Sequence, residues 1–97
     1  MILDFFDKGT QDIYNGVNSK RARNTLPVEL WPMALRKFYL LDHAMHLEDL
    51  KAPPNNCLER LSGDRQGQYA MQIQEGYRVC FEWTSQGVGR VEIVDYP

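Results

Sequence analysis

No apolar run in this chain approaches the ~20 residues that a membrane-spanning helix needs, so a helical span is excluded by composition alone. Internal repeats and low-complexity segments are missing too, which sets aside solenoids and linker-like chains. There are 2 cysteines, Cys57 and Cys80, and neither sits in a CxxC arrangement. That is too few for a disulfide framework, and a zinc site would need more ligands at ligand spacing. Both cysteines read as small buried hydrophobes of a reducing compartment, with a disulfide or a reactive thiol as the alternatives. Positive charge is not in excess: 11 Lys and Arg face 13 Asp and Glu, a net charge of −2. Phosphate neutralisation supplies much of the affinity of nucleic-acid binders, so this balance counts against strong nonspecific binding. It does not count against a confined site, where local arrangement decides the chemistry. The start, Met1 to Asp7, lacks the basic region and long apolar core of a signal peptide, and a cytoplasmic protein is expected.

What is present is the composition of a small globular protein, 43% apolar and 11% aromatic over 97 residues. One domain spanning residues 1–97, with one modest core, is expected. Ile2 to Phe6 is apolar and aromatic enough for a short first strand. Thr10 is placed to cap a brief helix that Asn15-Gly16 would end. Residues 18–25 are polar and basic without apolar periodicity, which predicts an exposed loop. From Leu26 a longer helix follows, with Pro27 and Pro32 near its start, where a missing amide costs least. Leu30, Ala34, Phe38 and Leu41 recur at intervals of three and four and make one apolar stripe. Leu47 to Leu50 adds a turn before Pro53-Pro54 forces extended chain.

Beyond that point the period drops to two. Tyr69, Met71 and Ile73 share one face of a strand, and Tyr77, Val79, Phe81 and Trp83 share one face of the next. Glu75-Gly76 and Gln86-Gly87-Val88-Gly89 read as turns, and Val91, Ile93 and Asp95 alternate along a last strand. Successive strands with short turns predict an antiparallel meander with one face covered by helices. The fold class is α+β: helices packed on one face of a twisted, mainly antiparallel sheet of four to five strands.

Several residues carry chemistry in this pattern. Arg78 falls mid-strand opposite Val79, Phe81 and Trp83, so its guanidinium emerges on the open side of the sheet. A strand holds an arginine rigidly enough to clamp a phosphate, while the plainer alternative is an ion pair with a cross-strand acid such as Glu92. Asp64 and Arg65 lie in a Ser62-Gly63-Asp64-Arg65-Gln66-Gly67 turn, where Asp64 is expected to bond nearby amides and Arg65 to project toward phosphate. Lys20, Arg21 and Arg23 form a basic cluster suited to RNA. Asp95 and Tyr96 end the last strand on opposite faces; Tyr96 is either an edge aromatic or a stacking platform for a base. His43 and His46 are three apart, but no third metal ligand is evident and helix C-terminal capping explains them.

The run Leu58-Glu59-Arg60-Leu61-Ser62-Gly63-Asp64-Arg65-Gln66-Gly67, the strand arginine Arg78 and the closing Asp95-Tyr96 together resemble the HigB toxins of the RelE superfamily, small toxins of bacterial type II toxin–antitoxin pairs. The resemblance covers residues 45 to 96 well and the N-terminal half loosely. It implies a RelE-like microbial RNase fold and a metal-independent, ribosome-dependent mRNA endonuclease without a cofactor. Arg78 then holds the scissile phosphate. Glu59 sits where some members have a proton-transferring histidine, and Asp95 and Tyr96 belong to the active site. The partners implied are a HigA-like helix-turn-helix antitoxin, the ribosome and mRNA, with operator DNA met only through the antitoxin. One departure stands out: Pro97 follows Asp95-Tyr96 where the family has a histidine. That departure supports an alternative from another class, a protein of the same fold without nuclease activity. It would be either a ParE-like gyrase poison or a weakened toxin that mainly binds its antitoxin and co-regulates the operon.

Overall fold

The structure, a computed structural model, describes residues 1–52, 56–74 and 76–95. Its centre is the expected meander. Strands β1 (Glu59–Arg60), β2 (Gln68–Gln74), β3 (Tyr77–Thr84) and β4 (Gly87–Asp95) form one sheet in the order β1-β2-β3-β4, all neighbours antiparallel. The period-two pattern sorts the side chains as read. Tyr69, Met71, Ile73, Val79, Phe81, Val91 and Ile93 face the helices and join the main core. The expected turn over residues 86–89 is shorter than its glycines suggest, because β4 already starts at Gly87. The other turn includes Glu75, which lies outside the described residues.

The expected first strand is reduced to two isolated parallel bridges, Ile2 with Val88 and Phe5 with Val91. The amide of Leu3 donates to the Val88 carbonyl at 2.7 Å and that of Phe6 to Val91 at 2.9 Å. This strip lies along the outer edge of β4. Gly87 makes the approach possible: a Cβ there would stand 2.5 Å from the Met1 carbonyl oxygen. The far end is fixed by Asp42, whose carboxylate accepts from the Ile2 amide at 2.8 Å and from the Tyr14 hydroxyl at 2.6 Å. The Asp42 bond, more than burial, raises the Tyr14 phenol above its ordinary pKa.

Three helices cover the inner face: α1 (Lys8–Tyr14), α2 (Lys20–Thr25) and α3 (Trp31–His43). Helix α1 begins earlier than expected, because Asp7 rather than Thr10 caps it, accepting from the Thr10 amide at 2.7 Å. Thr10 is instead buried, and its hydroxyl accepts from the Ile93 amide at 3.1 Å, which ties α1 to β4. The stretch expected to be a loop contains α2, capped by Ser19 on the Ala22 amide at 3.1 Å. Only Ala22 of this helix is buried, so periodicity had one residue to act on and the capping serine carried the signal. Packing of α2 on α1 depends on Gly9, where a Cβ would meet the Arg21 carbonyl at 2.9 Å and Thr25 Oγ1 at 2.0 Å.

The long helix starts at Trp31, after a 3₁₀ turn over Val28–Leu30, with Pro32 in its first turn. Ala34, Phe38 and Leu41 are buried as the stripe predicts, with Leu30 packed at its edge. A second 3₁₀ turn covers Leu47–Lys51. Lys37 is buried as well, which periodicity does not foresee; its ammonium bonds the Asn56 amide oxygen, and Asn56 donates to the Leu50 carbonyl at 3.0 Å. No helix among the described residues is long and apolar enough to cross a membrane.

Candidate functional site

Among the described residues no α-helix covers the other face of the sheet. The register places Glu59, Ala70, Cys80 and Glu92 in one row across all four strands, and Gln72, Arg78 and Val94 in the next. A small second apolar cluster, Leu61, Ala70 and Cys80 with Val94 packed against it, forms the floor of this face. Leu61 opens a strap that returns over the sheet through a 3₁₀ turn at Gly63–Arg65. The strap is closed by backbone bonds, Leu61 to Gln68 at 2.9 Å, Arg65 to Ser62 at 3.2 Å and Gln66 to Gly63 at 3.1 Å, while Asp64 is exposed.

Two ion pairs flank the floor. Arg78 Nη1 stands 3.4 Å from Glu59 Oε1, with 25% of the arginine side chain and 45% of the glutamate side chain exposed. The pair is thus solvent-accessible. Ala70, between them on β2, has no side chain long enough to block the guanidinium. Arg65 turns inward instead of projecting outward. Its Nη1 donates to Glu92 Oε1 at 3.0 Å and to Gln68 Oε1 at 3.1 Å. Its carboxylate is the drier of the two, the Glu92 side chain being only 11% exposed, whereas Arg65 at 31% is slightly more exposed than Arg78. The cross-strand acid expected for Arg78 therefore serves Arg65, and Arg78 reaches two strands in the other direction. Beneath both pairs lies the buried Cys80, whose thiol burial pushes up, with Arg65, Glu92, Arg78 and Glu59 acting on it electrostatically. The other cysteine departs from expectation: Cys57 is exposed, where chain direction changes at a positive φ of 49°.

Of the residues singled out from sequence, Arg78 and Glu59 come together and Arg65 lies on the same face. Asp95 is exposed at the end of β4, paired with Tyr77, and falls on the parity of the helix-facing residues. Tyr96 and Pro97 lie outside the described residues. Lys20, Arg21 and Arg23 are on α2, in the helix layer and away from the open face. Arg21 Nε contacts Asp12 Oδ2 at 2.6 Å, and Arg23 bonds Asn18 Oδ1 at 2.7 Å. The Arg21 guanidinium, followed by the Ser19 hydroxyl, holds the Asp12 carboxyl below the usual carboxylate range. His43 stacks on Tyr39 with centroids 4.1 Å apart and bonds its carbonyl, and His46 caps the 3₁₀ turn that follows. Among the described residues no group of three or more His, Cys, Asp or Glu is gathered as metal ligands would be.

Sequence reasoning did not find the groove beside β1. It offers about 280 Å³ between Leu47, Lys51, Leu58 and Tyr69, with Glu59 and Arg60 on its rim. The Arg60 guanidinium lies 5.8 Å from the centroid of the Tyr69 ring. The only sequence signal for it was the aromatic at Tyr69, which strand periodicity already explained.

The family model for the RelE-like toxin of the type II toxin–antitoxin system HigB matches residues 3–96. Toxin HigB-1 of Vibrio cholerae serotype O1 is 34% identical over 83 residues, covering 86% of this chain and 84% of that protein. The open face with its arginine and glutamate, the helix-backed meander and these two matches agree, and the chain belongs to the HigB-like toxins of type II toxin–antitoxin systems.

Proposed function

We propose that this HigB-like toxin is a ribosome-dependent endonuclease that cuts mRNA in the decoding site and so stops translation. The observation that carries this reading is the accessible Arg78–Glu59 pair on the open face of the sheet. In the proposed reaction the RNA 2′-oxygen attacks the adjacent phosphorus, the bond to the 5′-oxygen breaks, and a 2′,3′-cyclic phosphate remains. The Arg78 guanidinium binds two non-bridging oxygens and stabilises the charge that builds on them. Glu59, 3.4 Å from the Arg78 guanidinium, accepts the proton of the attacking hydroxyl. The leaving oxygen takes its proton from solvent, because Asp95 falls on the face opposite Arg78, and Tyr96 is assigned stacking on a neighbouring base. Lys20, Arg21 and Arg23, on the opposite layer, are suited to the phosphates of ribosomal RNA rather than to the scissile one, and Lys20 and Arg23 are exposed for it.

Alignment by the ribosome accounts for a nuclease with a net charge of −2 and few basic residues at its site. As a toxin of a type II pair the protein has an antitoxin partner. The proposed partner is a small HigA-like helix-turn-helix protein, through which the complex would meet operator DNA. A toxin that binds this partner without cutting RNA is the second reading, and Pro97 favours it because proline has no proton to give. Purified toxin, incubated with a defined mRNA alone and with the same mRNA on ribosomes, separates the two. Cutting on ribosomes only supports the proposal, and intact mRNA in both tubes supports the second reading.

A further inference from the structure

Arg78 has two carboxylates within reach on the open face. Glu59 and Glu92 belong to one row of the register, both one step along from Arg78. Glu92 is one strand away, about 4.8 Å to the side, whereas Glu59 is two strands away, about 9.6 Å. Diagonal neighbours on adjacent strands lie within reach of long side chains, and Glu92 is the drier, more strongly attracting acid. Arg78 nevertheless meets the farther, wetter glutamate. The nearer one is held by Arg65, whose guanidinium also bonds Gln68, itself buried.

The geometry points to Arg65 as a positioning residue: by engaging Glu92 it keeps that carboxylate from capturing Arg78, and so leaves Arg78 with the accessible Glu59, a carboxylate that an RNA phosphate can replace. This inference rests on the proposed nuclease reading for its consequence, but not for its geometry. It gives the Gly63-Asp64-Arg65 turn a task beyond folding. The strap delivers a cation to the middle of the sheet, against β4, from a loop that sequence alone would aim at solvent. Arg65 is held by two largely buried acceptors, Glu92 and Gln68, that share its Nη1, a setting from which a phosphate does not readily displace it. The exposed Arg78–Glu59 pair is the one that yields.

The test uses Arg65→Met, Arg65→Lys and the double variant Arg65→Met/Glu92→Gln, each checked for folding by thermal melting. Arg65→Met should cut ribosome-bound mRNA about tenfold more slowly or worse, Arg65→Lys should recover part of the rate, and the double variant should return to within about threefold of the parent. A folded double variant as slow as Arg65→Met overturns the inference and makes Arg65 an RNA contact in its own right. An undiminished rate for Arg65→Met overturns it as well. Should Arg65→Met fail to fold, the double variant decides alone, since it carries neither Arg65 nor the Glu92 charge. A crystal structure of the Arg65→Met or Arg65→Lys protein supplies a readout free of activity. Arg78 should move to within 4 Å of Glu92 in Arg65→Met, by about the criterion of an ion pair, and stay with Glu59 in Arg65→Lys. If the parent cuts no mRNA but Arg78 moves as described, the nuclease reading falls and the positioning role stands.

Discussion

Arg78 on β3 and Glu59 on β1 meet at 3.4 Å across the intervening strand β2. The contact exists because three separate features of the sequence agree. Strand alternation puts both residues on the uncovered face, Ala70 leaves room between them, and Arg65 occupies the competing acid. Its exposure makes it a weak contributor to stability, about 0–1 kcal/mol. A weak, accessible pair suits the phosphate-binding role proposed for Arg78, in which the substrate displaces the carboxylate.

Replacing Glu59 by Gln keeps the shape and removes the proposed proton acceptor. Ribosome-dependent cleavage should fall by about 10²–10⁴-fold while binding to ribosomes is preserved. Single-turnover cleavage alongside ribosome co-sedimentation measures both. A loss of binding with an unchanged cutting rate would move Glu59 from proton transfer to a supporting role.

Acid should loosen the junction of α1 and α2 through Asp12. Its carboxyl is held below the usual range by Arg21 and Ser19, so the folded state favours the ionised form. The stabilisation is fully present above the ordinary carboxylate pKa of 3.8 and is lost as pH falls through the lower, folded value. Asp12→Asn should therefore be less stable than the parent at pH 7, with the gap closing in urea titrations as pH falls below 3.8 and through the lower, folded value. A constant gap would show that geometry, not charge, matters there.

Gly9→Ala should destabilise the protein by about 1–3 kcal/mol, since its Cβ would press on backbone of α2 as well as on the Thr25 hydroxyl. Thermal melting reads the loss. Adding Thr25→Ala should return only part of it, because the contact with the Arg21 carbonyl remains.

The sheet was legible because β2, β3 and β4 turn alternate apolar residues toward the helices, and a period of two survives in seven residues as clearly as in nine; the two-residue β1, exposed at both positions, carries no such signal. Helix α3 was legible from Ala34, Phe38 and Leu41 for the same reason. Helix α2 was not, because a six-residue helix with one buried alanine has no period to read. The open-face position of Arg78 followed from alternation. Its partner did not, because the choice between Glu59 and Glu92 is made by a third residue, Arg65, that arrives on a strap whose path no local pattern encodes. Asp95 fell on the helix-facing parity expected of it, on the face opposite Arg78. Lys37, buried against Asn56, was invisible to any reading that keeps lysines on the surface.

Pro97 tests how far the family's terminal histidine matters. If the resemblance carries over at that position, Pro97→His should raise ribosome-dependent cleavage by about tenfold or more. An unchanged rate would mean that Glu59 or another group already moves the proton, and that proline there is no sign of a silenced enzyme.

The most direct measurement compares the parent with Arg78→Ala on purified ribosomes carrying a defined mRNA, with thermal stability measured on the same samples. The parent should cut the mRNA in the decoding site. Arg78→Ala should cut at least about 10²-fold more slowly with melting little changed, since the lost ion pair is exposed. Equal cutting by a folded Arg78→Ala protein would contradict the account.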